Sequence, residues 1–232
     1  MGIWFWFVLA FVGFAFITLV RKWHDYAMLF TIAIGFAINA NVFNAFTDPM
    51  YMGPLVFSID SILYTGFMFC VIICAHEYGT KKAKILTSSA VAAILLSAVI
   101  EFLAKTSSSG FQTEFLLNFC SFFFSALGTF AGVWLMLWVY EKMKNKNLNI
   151  YLVFTICILI ASVVNSTIFY TFTILTSKNL DIPYILLGSY IGKFICIGLC
   201  HLSFLINTHW FIPNDLKEKY KKYKTEETKK QG

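Results

Sequence analysis

The sequence predicts an all-α, polytopic membrane bundle of about seven transmembrane helices, on three observations. First, the 232 residues are 59% hydrophobic and only 13% charged, with a mean hydropathy of +0.72; soluble chains carry about 25% charged residues. Second, 26 Phe and 6 Trp demand more interior than a chain of this size builds in water. Lipid removes that demand, because outward-facing side chains can then be apolar. Third, the apolar residues fall in seven long blocks separated by short polar ones.

Each block approaches or exceeds the ~20 residues needed to cross hydrocarbon. The blocks run over 3–20, 26–46, 54–75, 85–104, 115–140, 150–176 and 184–210. Backbone groups in hydrocarbon must bond within their own segment, so each block reads as a helix. The run WFWFVLAFVGFAFITLV lacks the alternation of a barrel strand. The first block has no basic leader and no small-residue cleavage signal after Val20, so it reads as a retained span. Thr47-Asp48-Pro49 through Gly53-Pro54, Ser107 to Gly110, and Asp181-Ile182-Pro183 read as loops. Pro183 suits the first turn of the last span. Residues 1–211 form the membrane domain, an extra first helix followed by a six-helix core, and 212–232 a basic tail.

Charge gives the orientation. Arg21 and Lys22 follow the first span; Lys81, Lys82 and Lys84 the third; Lys142, Lys144 and Lys146 the fifth. Lys217, Lys219, Lys221, Lys222, Lys224, Lys229 and Lys230 follow the seventh. Lys105 and Lys178 fall on the other side, and Lys193 lies inside a span. The positive-inside rule places the rich side in the cytoplasm, with the N-terminus outside, in a bacterial inner or plasma membrane. The +6 charge sits in short runs between spans, so no nucleic-acid partner is expected. All six cysteines lie in apolar blocks, which fits packing residues better than a disulfide framework. No metal or other cofactor is expected.

Polar groups inside spans are costly and therefore informative. Asn41 and Asn44 share a face near the outer end of the second span. Their amides suit either the edge of a planar heterocycle or a neighbouring helix. Asp60, in the third span, lines a polar cavity, pairs with a cation, or caps the helix. Asn165 lies mid-way along the sixth span and Lys193 about nine residues into the seventh. A buried ammonium needs an anion, a polar ligand or water, or it loses its proton; Asp60 is one candidate partner. Tyr64, Phe169, Tyr170 and Tyr190 can stack on a ring or simply pack. His76 and Glu77 close the third span, but HEYG lacks the second His of a zinc-protease helix. Glu77 can pair with Lys81 four residues on, Gly79 marks a helix end, and Glu101 can pair with Lys105. Gln112 and Glu114 can cap the fifth span. His76, Glu77, Gly79, Lys81 and Glu101 thus read as structural or gating residues.

The order of features resembles the vitamin-uptake-type family of queuosine precursor transporters, itself similar to the substrate-binding components of energy-coupling-factor vitamin transporters. The matching residues are Ala40-Asn41; Glu77-Tyr78-Gly79-Thr80-Lys81-Lys82-Ala83-Lys84; Asn165-Ser166-Thr167-Ile168-Phe169; and Gly188-Ser189-Tyr190-Ile191-Gly192-Lys193. They cover residues 25–210 in order and spacing. Two positions depart from the family pattern: Ile73 stands where it has Asp, and Asn165 where it has an acid. The resemblance implies uptake of a 7-deazaguanine such as preQ0 or preQ1, or of a related vitamin-like solute. Asn41, Asn44, Asp60, Tyr64, Asn165, Phe169 and Lys193 are then the expected substrate-binding residues.

The expected partners are the bilayer, a small solute, and an energising ATPase module or a second copy. The chain has no Walker motif, so ATP use requires a partner. The alternatives are a membrane sensor or scaffold signalling through its cytoplasmic side, or a membrane enzyme built on His76, Glu77 and Cys74. Catalysis is the less expected of these.

Overall fold

Side chains recurring every three to four positions share one face of a helix, so a helix can turn one face to protein and another outward. The computed structural model describes residues 3–22, 26–46, 50–52, 55–57, 60–110, 112–144, 146, 148–176 and 182–210. The elements are α1 (Ile3–Lys22), α2 (Tyr26–Phe46), β1 (Met50–Met52), β2 (Leu55–Phe57), α3 (Asp60–Glu77), α4 (Thr80–Ser109), α5 (Thr113–Met143), α6 (Ile150–Thr176) and α7 (Ile182–Trp210). In their described residues, α4, α5, α6 and α7 are each long and apolar enough to cross a membrane. Their outer faces carry exposed Leu96, Leu103, Trp138, Val163 and Phe194, a surface that suits lipid. The chain is a polytopic membrane protein with an all-α bundle.

Six helices close a ring around the seventh. Going round, α1 packs on α2, α2 on α4, α4 on α5, α5 on α6, α6 on α7, and α7 back on α1. Within the ring, α3 touches all six. Every residue from Ser61 to Ala75 is buried except the half-buried Leu63. The surrounding helices turn stripes toward it: Ala10, Phe14 and Ile17 of α1; Leu29, Ala33 and Ala37 of α2; Ala83, Leu86, Ala90 and Ile94 of α4. The first helix is therefore no appendage, since it closes the ring between α2 and α7.

α5 and α6 approach each other closely. A Cβ on Gly132 would lie 2.6 Å from the Ala161 carbonyl oxygen, and one on Gly128 would lie 3.0 Å from that of Asn165. Gly128 and Gly132 form a GxxxG step against Ala161 and Asn165, also four apart, so the two backbones nearly touch.

The connection from α3 to α4 is Tyr78-Gly79. Gly79 has φ +91 and ψ 154, which a side chain resists. Its carbonyl accepts the amides of Lys82 at 3.1 Å and Ala83 at 3.2 Å, so it ends one helix and starts the next.

Several boundaries differ from expectation. The third span does not begin at residue 54. Met50–Met52 and Leu55–Phe57 pair antiparallel, with Met52 opposite Leu55, and the helix starts at Asp60. Strand and helix are equally apolar here, so hydropathy could not divide them. β2 packs against α7. The Ser107 to Ser109 run belongs to α4, which extends at both ends beyond 85–104. Hydrogen bonds set that end: Ser108 Oγ donates to the Lys105 carbonyl at 3.1 Å, and the Gly110 amide to that of Thr106 at 3.0 Å. Lys81, Lys82 and Lys84 accordingly lie in the first turn or so of α4, not in a loop. Glu77 and Lys81 fall on different helices, so one-helix pairing does not apply to them. Gln112 occupies the α5 N-cap, but its side chain makes no capping bond. Pro183 lies in the first turn of α7, as expected. Residues 47–49, Asp181 and the tail 212–232 lie outside the described residues.

Candidate functional site

α5, α6 and α7 each carry polar side chains on the face turned inward. In α6 these are Ser162, Asn165 and Ser166, at helical spacing on one stripe. In α5 they are Ser125 and Thr129, and in α7 Ser189 and Lys193. All are buried, and Lys193 is only 3% exposed. Lys193 stands 11 residues into α7, about 17 Å along its axis, and Ser125 12 residues into α5, about 18 Å. Both positions therefore lie well inside their helices, away from either end.

The side chains form a belt across four helices. The Lys193 ammonium donates to Ser166 Oγ at 2.6 Å and lies 5.8 Å from the centre of the Tyr64 ring, at cation–π range. The Tyr64 hydroxyl is hydrogen-bonded to Ser125 Oγ. Asn165 Nδ2 donates to Thr129 Oγ1 at 3.0 Å, and Ser162 Oγ to the Met68 sulfur at 3.5 Å. At the rim, the Thr167 and Tyr190 hydroxyls share a bond of 3.0 Å. The links thus run α7 to α6, α7 to α3, α3 to α5 and α5 to α6. A polar group buried among apolar helices costs several kcal/mol if unsatisfied, which explains why the ammonium meets the Ser166 hydroxyl and the Asn165 amide meets Thr129. Ser61, 1% exposed in the first turn of α3, has no hydrogen-bond partner among the described residues.

The structure therefore brings together Tyr64, Asn165 and Lys193 of the expected binding residues. Phe169 stands edge to face with Tyr170 at 5.3 Å. The backbone places Asn41 and Asn44 in the last turns of α2 and Asp60 at the first residue of α3; their side chains lie outside the described residues. Ser125 and Thr129 were missed from sequence, although two small hydroxyl residues four apart beside a GxxxG step are a readable signal.

The expected structural or gating residues lie elsewhere. His76 Nδ1 and the Tyr140 hydroxyl are 3.0 Å apart at the lysine-rich end of α3, and the imidazole meets Phe154 edge to face. Gly79 and the exposed Lys81 flank the α3–α4 corner. There Lys82 lies over the rings of Tyr26 at 5.0 Å and Tyr78 at 5.4 Å. Glu101 pairs with Lys105 at the opposite end of α4, beside Phe102, Asn118 and Phe119. His201 Nε2 lies 2.6 Å from Thr155 Oγ1, whose hydrogen goes to the Tyr151 carbonyl at 2.8 Å. Cys70, Cys74, Cys157, Cys196 and Cys200 are buried and form no disulfide, and no set of side chains suited to a metal ion occurs among the described residues.

Comparison of the chain with known proteins finds no matching family model, no matching curated protein and no matching solved structure.

Proposed function

We propose that the chain is a membrane transporter taking up a small heterocyclic solute, of the 7-deazaguanine or vitamin-like class, through the polar belt around Lys193. The observation that carries this reading is the burial of Lys193 against the Ser166 hydroxyl of α6 and the Tyr64 ring of α3. A bundle selected for stability alone gains nothing from an ammonium at that depth. Ionisable groups so placed accompany solute and ion pathways. Asn165, Ser166 and Tyr64 offer donors, acceptors and a ring face, the chemistry that a planar nitrogen heterocycle needs. The residues shared with the queuosine precursor family include Lys193 and support the same substrate class.

In this reading all seven helices span the bilayer, the lysine-rich ends face the cytoplasm, and the N-terminus faces outward. The belt side chains pack against one another, so the transport cycle requires α3 and α7 to part. The solute is moved unchanged, and an energising ATPase module docks on the lysine-rich side. The test is uptake of a radiolabelled 7-deazaguanine by sealed vesicles holding the full chain. Lys193→Ala lowers uptake at least tenfold, whereas Val163→Ala, on the exposed face of α6, leaves it unchanged. Wild-type uptake equal to that of empty vesicles refutes the substrate class. Full uptake by a folded Lys193→Ala protein refutes the site.

A further inference from the structure

α5 carries a second pattern, on the face turned away from the belt. Phe123 is 48% exposed, Leu127 44%, Phe130 37%, Trp134 40% and Trp138 57%. Steps of three and four residues set them in one stripe, which runs on to the exposed Lys142. The Lys142 ammonium stands 5.9 Å from the Trp138 ring. Lys84 reaches across from α4 to 5.3 Å from the Trp134 ring and 3.9 Å from Glu141. Lys144 and Lys146 follow, both exposed. Phe130 to Lys142 covers about 18 Å of helix, against about 15 Å for the hydrocarbon of one leaflet.

We propose that this face binds an anionic glycerophospholipid, with its phosphate between Lys84 and Lys142 and an acyl chain along the aromatic stripe. On this face the described charges are Lys84, Lys142, Lys144 and Lys146 against Glu141, which favours a net negative headgroup over a zwitterionic one whose cation would meet the ammoniums. A soluble anion would gain nothing from the stripe. A second copy related by a two-fold axis would set the same lysines against each other.

The test uses the full chain reconstituted in phosphatidylcholine vesicles, with tryptophan emission quenched by brominated-chain lipids. Brominated phosphatidylglycerol should occupy the site about fivefold more tightly than brominated phosphatidylcholine, as expected from the ~1 kcal/mol that a lysine contributes near anionic headgroups. The preference should fall to about one in Lys84→Gln/Lys142→Gln, persist in Lys84→Arg/Lys142→Arg, and vanish from the signal in Trp134→Phe/Trp138→Phe. Equal affinities in the wild type overturn the proposal, as does a preference that survives the glutamine pair or is lost with the arginine pair. Disulfide cross-linking of Trp138→Cys between copies in the same vesicles also overturns it, because a protein then covers the face.

Discussion

Replacing Gly132 by Ala probes the α5–α6 contact directly. The new methyl would sit 2.6 Å from the Ala161 carbonyl oxygen and 3.4 Å from the Ala161 Cα. Ordinary carbon–oxygen contacts begin near 3.3 Å, so the helices must separate by about 0.7 Å. Both groups are attached rigidly to backbone, and no rotamer relieves the clash. Thr129 and Asn165 lie one turn away, and their bond of 3.0 Å stretches to about 3.7 Å, beyond hydrogen-bond reach. Overpacking costs about 1–3 kcal/mol, and an interhelical hydrogen bond in a membrane about 0.6–1.7 kcal/mol. The expected loss is therefore about 2–4 kcal/mol. The assay is reversible unfolding in mixed micelles, with Gly128→Ala and Gly198→Ala alongside. Gly128 faces the Asn165 carbonyl at 3.0 Å and should lose roughly half as much. Gly198 has nothing within 4 Å of its Cβ position and should be neutral or slightly stabilised by helix propensity. If Gly132→Ala unfolds like Gly198→Ala, the close approach of α5 and α6 is wrong.

Three further outcomes are expected. Thr129→Val leaves the buried Asn165 amide without its acceptor and costs about 1–2 kcal/mol; a denaturation series should show much of that recovered in Thr129→Val/Asn165→Leu. Gly79→Ala meets no atom within 4 Å, but its backbone at φ +91 should still cost about 1–3 kcal/mol, read as a lowered unfolding midpoint. An impermeant maleimide added outside intact cells should label Ser108→Cys and not Lys146→Cys, which should react only after permeabilisation; the reverse pattern would invert the orientation.

The number and order of the helices were legible because each of the seven is an apolar block set off by polar residues, and four of them are, in their described residues, long and apolar enough to cross a membrane. Lys193 and Asn165 were legible for the same reason, since an ammonium or amide inside such a block demands an explanation. The hairpin before α3 was not. Met50 to Phe57 is as apolar as a span, and what separates strand from helix there is pairing between β1 and β2, not hydropathy. The extent of α4 was hidden because Ser107 and Ser108 suggest a loop, yet a serine hydroxyl bonded back to the helix carbonyls is tolerated at a helix end. Ser125 and Thr129 are small, weakly polar interruptions of an apolar block, which hydropathy does not single out. Their partners, Tyr64 and Asn165, lie 61 and 36 residues away in sequence, a separation that no local pattern encodes.

The encirclement of α3 has a bearing on biogenesis. A segment walled off by six others meets almost no acyl chains in the finished protein, so solvation by lipid does not hold it in place. Four of the six walls, α4 to α7, are synthesised after it. Until the last of them arrives, the ammonium-binding surface of α3 has no partner and its apolar sides face lipid or the insertion machinery. Closure of the ring is therefore the step that walls α3 off, and it brings α1 against α7.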